Sequence, residues 1–368
     1  MFRPDNGLSS IVLWTAVMGA SSTKTSFLES ATVDAAVSWP GQAFFDSSLS
    51  GAVLDPQWRV RSLVRPVIWL LNDGKAGHVN QLRGLGERLE ALCGAQLVWL
   101  SCKDFRVTPW QAMAGQPPEI AAPTPDIIIA AGSGTHALLL ACRRQYGAMT
   151  VVLMRPGFPL GWAHLKVIPE HDNPPARGDI LATQGAITAV RPNPGLTEQL
   201  RGLILVGGDS PHFCWDSDAI YQQLMTLSQD YPHWQWTVTS SRRTPLALVE
   251  KLQRIERGNV QFFHHQQTDA GWLPDQLKQS RVAWVSPDSV SMLYESLTAG
   301  VLTGMFALQP GKKKRVVKGV LQLHQRGLIS AWNQRDALME SDEARPLHLW
   351  EANRVAHWLI ERYQEADF

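Results

Sequence analysis

The chain has 368 residues, 45% hydrophobic and 18% charged, with 34 Lys and Arg against 33 Asp and Glu for a formal net charge of +1. Length and composition describe a folded chain of about two ordinary domains, and the near-neutral balance excludes a general electrostatic pull toward nucleic acid, so any anion site must be local. Cys93, Cys102, Cys142 and Cys214 stand far apart with neither Cys-x-x-Cys nor Cys-x-x-His spacing, which indicates neither a zinc site nor a disulfide framework and fits a reducing cytoplasm.

Residues 1–65 differ from the rest. Ile11–Ala20 is an apolar run about as long as a signal-peptide core, but Arg3 ahead of it is offset by Asp5, and the run falls short of the ~20 residues needed to cross a bilayer. A signal peptide is therefore not expected. The Ser-, Ala- and Thr-rich stretch that follows lacks periodicity and reads as a poorly ordered extension, or as an over-long start of the reading frame.

From Val67 onward, short apolar runs alternate with helical patterns. Val67–Leu71, Asp126–Ala131 and Val151–Met154 read as buried parallel strands, with helices over Gly77–Cys93 and Thr135–Tyr146. After Pro192 and Pro194 a second set begins: strands at Leu203–Val206, Gln235–Thr239, Val260–Phe263, Val282–Val285 and Leu302–Phe306, helices near Asp218–Ser228, Pro245–Ile255 and Ser289–Ala299. Trp350, Val355, Trp358 and Leu359 mark a closing helix within Leu347–Ala366. The pattern predicts an α/β chain of two doubly wound parallel-sheet domains, 66–194 and 195–345, followed by a closing segment 346–368, with the ligand site in the cleft between the domains. The 15 scattered tryptophans are expected in the core rather than on an aromatic platform.

The candidate site residues follow strands. Asn72-Asp73-Gly74-Lys75-Ala76-Gly77-His78-Val79-Asn80-Gln81 forms a strand-to-helix turn whose glycines admit close backbone approach and whose helix start offers N–H groups to an anion. It is neither a Walker loop nor Gly-x-Gly-x-x-Gly. His78 at its rim is of the residue type that exchanges protons near neutral pH. Gly132-Ser133-Gly134-Thr135 and Arg155-Pro156 follow the next strands, either turning the chain or touching an acceptor.

Gly207-Gly208-Asp209-Ser210 suits close approach to a phosphate, Ser240-Ser241-Arg242-Arg243-Thr244-Pro245 supplies two guanidiniums that grip phosphate in bidentate fashion, and Ser286-Pro287-Asp288-Ser289-Val290-Ser291 caps a helix carrying Glu295. A helix start for phosphate and a carboxylate for ribose hydroxyls point to a nucleotide. The alternatives are a capped helix with Glu295 in a surface ion pair, and arginines on a solvated cap. Lys312, Lys313, Lys314, Arg315 and Lys318 form the one dense basic run, read as a solvated helix face, with anionic lipid or a diphosphate as the other readings.

Together Asp-Gly-Lys-Ala-Gly-His-x-Asn-Gln, Gly-Gly-Asp-Ser, Ser-Arg-Arg-Thr-Pro and Asp-Ser-Val-Ser-Met-x-x-Glu resemble the mitochondrial-fission ELM family, whose bacterial members are described as candidate glycosyltransferases. The resemblance covers about Val67 to Gly327. It implies a GT-B-like architecture of two Rossmann-like domains around a cleft. Asp73 or His78 would be the catalytic base, with Gly74, Lys75, Gly77, Asn80, Gln81, Gly132, Ser133 and Gly134 on the acceptor side. Gly207, Gly208, Asp209, Ser210, Ser241, Arg242, Arg243, Asp288, Ser289, Ser291 and Glu295 would hold the donor.

The function implied is transfer of a sugar from a nucleotide-sugar donor to an envelope glycolipid or oligosaccharide acceptor, in the cytoplasm, with possible peripheral contact to the inner membrane and no nucleic-acid partner. No cofactor is expected, and no metal, because in this architecture helix dipoles and Arg or Lys stabilise the leaving diphosphate. The plant members, regarded as adaptors that recruit a dynamin-like protein, keep a non-catalytic scaffold open as an alternative. A nucleotide-sugar epimerase is the third reading.

Overall fold

Ile-Ile-Ile-Ala-Ala and Met-Thr-Val-Val-Leu are apolar on both faces, so each requires a sheet covered from both sides. The computed structural model, which describes residues 65–193, 195, 197–342 and 349–365 within the single unit Pro56–Phe368, places both at the centre of a parallel sheet. The expected extension and its apolar run lie outside the described residues. The first lobe comprises β1 (Val67–Asn72), α1 (Ala76–Cys93), β2 (Gln96–Ser101), α2 (Pro109–Ala114), β3 (Ile127–Ala131), α3 (His136–Gln145), β4 (Met149–Leu153), β5 (Leu165–Pro169) and β6 (Ile180–Thr183). Its strands run parallel in the order β2-β1-β3-β4-β5-β6.

The second lobe comprises β7 (Arg201–Leu205), β8 (Phe213–Cys214), α4 (Ser217–Asp230), β9 (Gln235–Thr239), α5 (Leu246–Gln253), β10 (Val260–Phe263), α6 (Trp272–Gln279), β11 (Val282–Val285), α7 (Val290–Ala299), β12 (Leu302–Met305), β13 (Gln309–Pro310), α8 (Lys314–Gln325) and α9 (Arg335–Met339). Five of these strands form a parallel sheet in the order β10-β9-β7-β11-β12, and β8 pairs with β13 in a short antiparallel ribbon. The final helix α10 (Glu351–Glu365) returns to the first lobe, where Val355, Ala356 and Leu359 join Leu82, Leu85 and Leu89 of α1 over one sheet face. Each fully buried Val or Leu of this set contributes roughly 1.5–3 kcal/mol before entropy is charged against it.

Strand register positions the site. Asn72 pairs with both Ser101 and Ala131, and Val285 pairs with both Leu205 and Met305, so within each sheet neighbouring strands end level and their following turns lie side by side. Sequence reading located the central strands within a residue or two. It missed the edge strands β2, without a clear buried face, and β6, and it missed β5, where Lys166 hides a wholly buried strand. The Lys166 ammonium is tolerated there because it donates to Asp179 and to the carbonyl of Ala163.

The connection 184–193 is gripped by both lobes. A Cβ on Gly84 of α1 would lie 2.1 Å from the Thr188 carbonyl oxygen, and one on Gly185 would lie 2.3 Å from the ring of Tyr294 in α7. A further tie is Arg326 to Glu170 at 3.7 Å. Gly84→Ala is expected to destabilise the fold by about 1–3 kcal/mol or more, since backbone must move to admit it. Gly77→Ala, in the same helix with nothing within 4 Å of its Cβ, should be neutral or stabilising by up to about 1 kcal/mol, and urea unfolding of the two variants checks the contrast.

Candidate functional site

At the first-lobe rim, the β1–α1 turn carries Asp73 back over the start of α1. Its Oδ1 accepts from the Lys75 N–H at 3.1 Å and lies 2.8 Å from His78 Nδ1. A carboxylate only accepts, so Nδ1 carries the shared proton and Nε2 is left as the basic nitrogen. Burial pushes the Asp73 carboxyl up, but the bonds from His78 and Lys75 outweigh it and hold it below its ordinary value. Oδ2 is buried without a hydrogen bond, 3.5 Å from Lys75 Nζ.

The turn after β3 seals this pair. Gly132 has φ +90°, and a Cβ there would stand 2.2 Å from His78 Nδ1 and 2.8 Å from Asp73 Oδ2; one on Gly134 would stand 2.9 Å from Asp73 Cβ. The structure thus brings together Asp73, His78, Gly132 and Gly134, with Ser133 exposed beside them. Gly74 needs its positive φ of +80°, whereas open space surrounds Gly77. Gln81 points inward, its Nε2 3.6 Å from Sδ of Met154, a residue held at φ +71° where β4 ends.

At the second-lobe rim the expected donor residues are largely engaged with one another. Gly207 N–H donates to Ser286 Oγ at 2.7 Å, Gly208 N–H donates to Asp288 Oδ2 at 3.0 Å, and Ser241 Oγ donates to the Gly207 carbonyl at 2.9 Å. The two glycines, expected to make room for phosphate, are required by the protein itself: a Cβ on Gly207 would lie 2.2 Å from Asp288 Oδ2, and one on Gly208 would lie 1.9 Å from the Arg243 carbonyl oxygen.

Arg243, expected to grip phosphate, is engaged within the protein. It pairs with Asp288 at 2.8 Å and donates to the carbonyls of Gly208 and Asp209, both at 3.1 Å, so its guanidinium closes the turn. Asp288 is likewise a buttress, its Oδ1 buried without a hydrogen bond. Ser289 is the N-cap of α7 but makes no side-chain capping bond, contrary to the expected cap, which leaves the helix start uncapped. Arg242 is exposed with no ion pair or hydrogen bond among the described residues; Ser291 and Asp209 are exposed, and Ser210 Oγ accepts from the His212 N–H at 3.3 Å.

Two features escaped sequence reading. The β8–β13 ribbon, with Gly311 N–H donating to the His212 carbonyl at 2.7 Å, carries the exposed Lys312, Lys313 and Lys314 to this rim beside Ser210, so the basic run is a rim feature; the turn signal Pro310-Gly311 marked where the chain bends. Asp216-Ser217-Asp218 has Asp-x-Asp spacing, but Asp216 caps α4 by accepting from Ala219 N–H at 2.9 Å and Asp218 pairs with Lys251. Among the described residues no group of three or more His, Cys, Asp or Glu is placed to hold a metal ion.

Glu295 departs most from expectation. It is 8% exposed, and its Oε1 accepts from Asn80 Nδ2 of α1 at 2.7 Å, so an expected donor residue and an expected acceptor residue bond to each other across the lobes. As arranged, the carboxyl is engaged by the first lobe rather than offered to ribose. Burial pushes Glu295 from 4.5 up to about 7, with the Asn80 bond pulling the other way. The folded chain therefore holds a proton that the unfolded chain releases near 4.5, and the stability tied to it is full below that pH and lost as pH rises through about 7. Glu295→Gln keeps the acceptor for Asn80 and removes the titration, so urea unfolding between about pH 5 and 8 should be flatter with pH than in the parent chain.

Comparison with known proteins agrees with this architecture. The family model described as mitochondrial fission ELM1 matches residues 76–363, and no curated protein sequence matches. Among solved structures, a candidate UDP-N-acetylglucosamine 2-epimerase from Listeria monocytogenes is similar with a TM-score of 0.51 at 13% identity, covering 82% of this chain and 98% of that one. A second UDP-N-acetylglucosamine 2-epimerase gives 0.51 at 11% identity over 82% and 97%, and Acinetobacter baumannii MurG gives 0.48 at 13% over 82% and 100%. The fold is GT-B-like. With a family match spanning both lobes and the closing helix, the chain belongs to the mitochondrial fission ELM1 family.

Proposed function

We propose that the chain is a glycosyltransferase that moves a sugar from a nucleotide-sugar donor to a hydroxyl of an envelope glycolipid or oligosaccharide. The observation that carries this reading is the Asp73–His78 pair, 2.8 Å apart and pressed beneath Gly132 at a sheet's carboxyl edge. Asp73 fixes the imidazole's tautomer and orientation, and Nε2 takes the proton as the acceptor oxygen bonds to the anomeric carbon and the bond from that carbon to the diphosphate breaks. Arg242, the uncapped start of α7 and the Lys312–Lys314 cations stabilise the departing diphosphate. Asp73 is the positioning residue and His78 the base. The uridine nucleotide in the names of two fold neighbours makes a UDP-sugar the first donor to try.

The test is incubation of the full chain with nucleotide-sugars and extracted envelope glycolipid, reading release of the nucleoside diphosphate. Transfer is expected, with His78→Ala and Asp73→Asn each lowering kcat by about a hundredfold or more. Arg242→Ala should weaken donor binding by about ten- to a hundredfold through a lost charge-assisted bond. A sugar epimerised at C2 without acceptor would replace this reading with the epimerase, and transfer unaffected by His78→Ala would remove the base assignment.

A further inference from the structure

The sequence Thr-Pro-Trp-Gln-Ala-Met-Ala-Gly builds α2 with unusual definition for six residues. Thr108 Oγ1 accepts from the Gln111 N–H at 3.2 Å while Gln111 Oε1 accepts from the Thr108 N–H at 2.9 Å, Pro109 opens the helix, and Gly115 at φ +69° ends it. None of its residues is buried. Trp110 and Met113, three apart and hence on one face, are 73% and 65% exposed, against the expectation that the tryptophans pack in the core.

Beside this helix lies positive charge. The aliphatic part of Arg144, in the last turn of α3, packs on Gly115, where a Cβ would lie 2.9 Å from Arg144 Cβ. Arg143 and Arg144 make no ion pair or hydrogen bond among the described residues, and with Gly147 and His164 they line a cavity of about 400 Å³ whose described lining includes no carboxylate. The α3 dipole favours cations at its end, which accounts for the arginines but not for two large apolar side chains held in water. A soluble anion would fill the cavity and leave Trp110 and Met113 unexplained. An anionic bilayer satisfies both, because tryptophan partitions to the headgroup level while arginine pairs with lipid phosphate.

We propose that α2 and the adjoining arginine-lined cavity dock the chain on an anionic lipid bilayer, Trp110 and Met113 entering the interface and Arg143 and Arg144 holding headgroup phosphates. No helix among the described residues is long and apolar enough to cross a membrane, so this contact is peripheral. It is independent of the cleft chemistry.

Co-sedimentation of the full chain with vesicles of equal parts phosphatidylglycerol and phosphatidylcholine, and with phosphatidylcholine alone, tests it. Binding to the anionic vesicles only is expected, weakening with salt. Trp110→Ser with Met113→Ser should weaken it about tenfold or more, and Arg143→Gln and Arg144→Gln about fivefold each with a shallower salt dependence. Trp110→Phe should keep most of the binding, and His78→Ala all of it, which separates this proposal from the transferase reading. Vesicle binding unchanged in folded variants of both pairs, or absent in the parent chain, overturns it. Saturation by inorganic phosphate in calorimetry without vesicle binding would also overturn it, in favour of a soluble-anion site.

Discussion

Parallel strands that end level are the constraint on which the rest depends. A parallel ladder sends every connection out at the same edge, and the shared register of Asn72 with Ser101 and Ala131 sets the Asp73–His78 turn directly against Gly132. The same constraint in the second sheet stacks the turns after β7, β9 and β11 until Ser286 and Asp288 support the glycines of the neighbouring strand. Slippage of a strand by one residue would separate these groups and turn its apolar face outward.

Each rim is organised by a buried carboxylate whose task differs. Asp73 spends one oxygen on an imidazole that remains partly exposed, so its effect reaches the surface as an oriented base. Asp288 spends one oxygen on a backbone N–H and a guanidinium, so its effect ends in the rigidity of the turn. Arg243 is bound into that second structure, whereas Arg242 and the lysines delivered by the β8–β13 ribbon stay exposed at the rim. A turn that holds its own shape before a ligand arrives loses less conformational entropy on binding.

Much of this was legible from residues alone, because apolar runs bounded by glycine, proline and polar turns define central strands irrespective of tertiary detail. The Gly-His turn was legible for the same reason: it follows a strand and opens a helix. Pairings between distant motifs were not. Nothing local in Ser-Arg-Arg-Thr distinguishes Arg242, which faces solvent, from Arg243, which closes on Asp288, and helical spacing does not reveal that Glu295 meets Asn80, 215 residues away. Lys166 shows the opposite case: its charge argues for a surface, and Asp179 together with the Ala163 carbonyl makes its burial tolerable.

The Asn80–Glu295 bond is one of the contacts by which the lobes meet. On the proposed reading, the two rims together form a nucleotide-sugar site. Titration calorimetry of the full chain with uridine, guanosine, adenosine and cytidine nucleotides addresses it most directly. Saturable one-to-one binding of one of these, weaker for the nucleoside than for its diphosphate, is the predicted result; no heat from any of them at about millimolar concentration, where an interaction of roughly 4 kcal/mol would register, would contradict it.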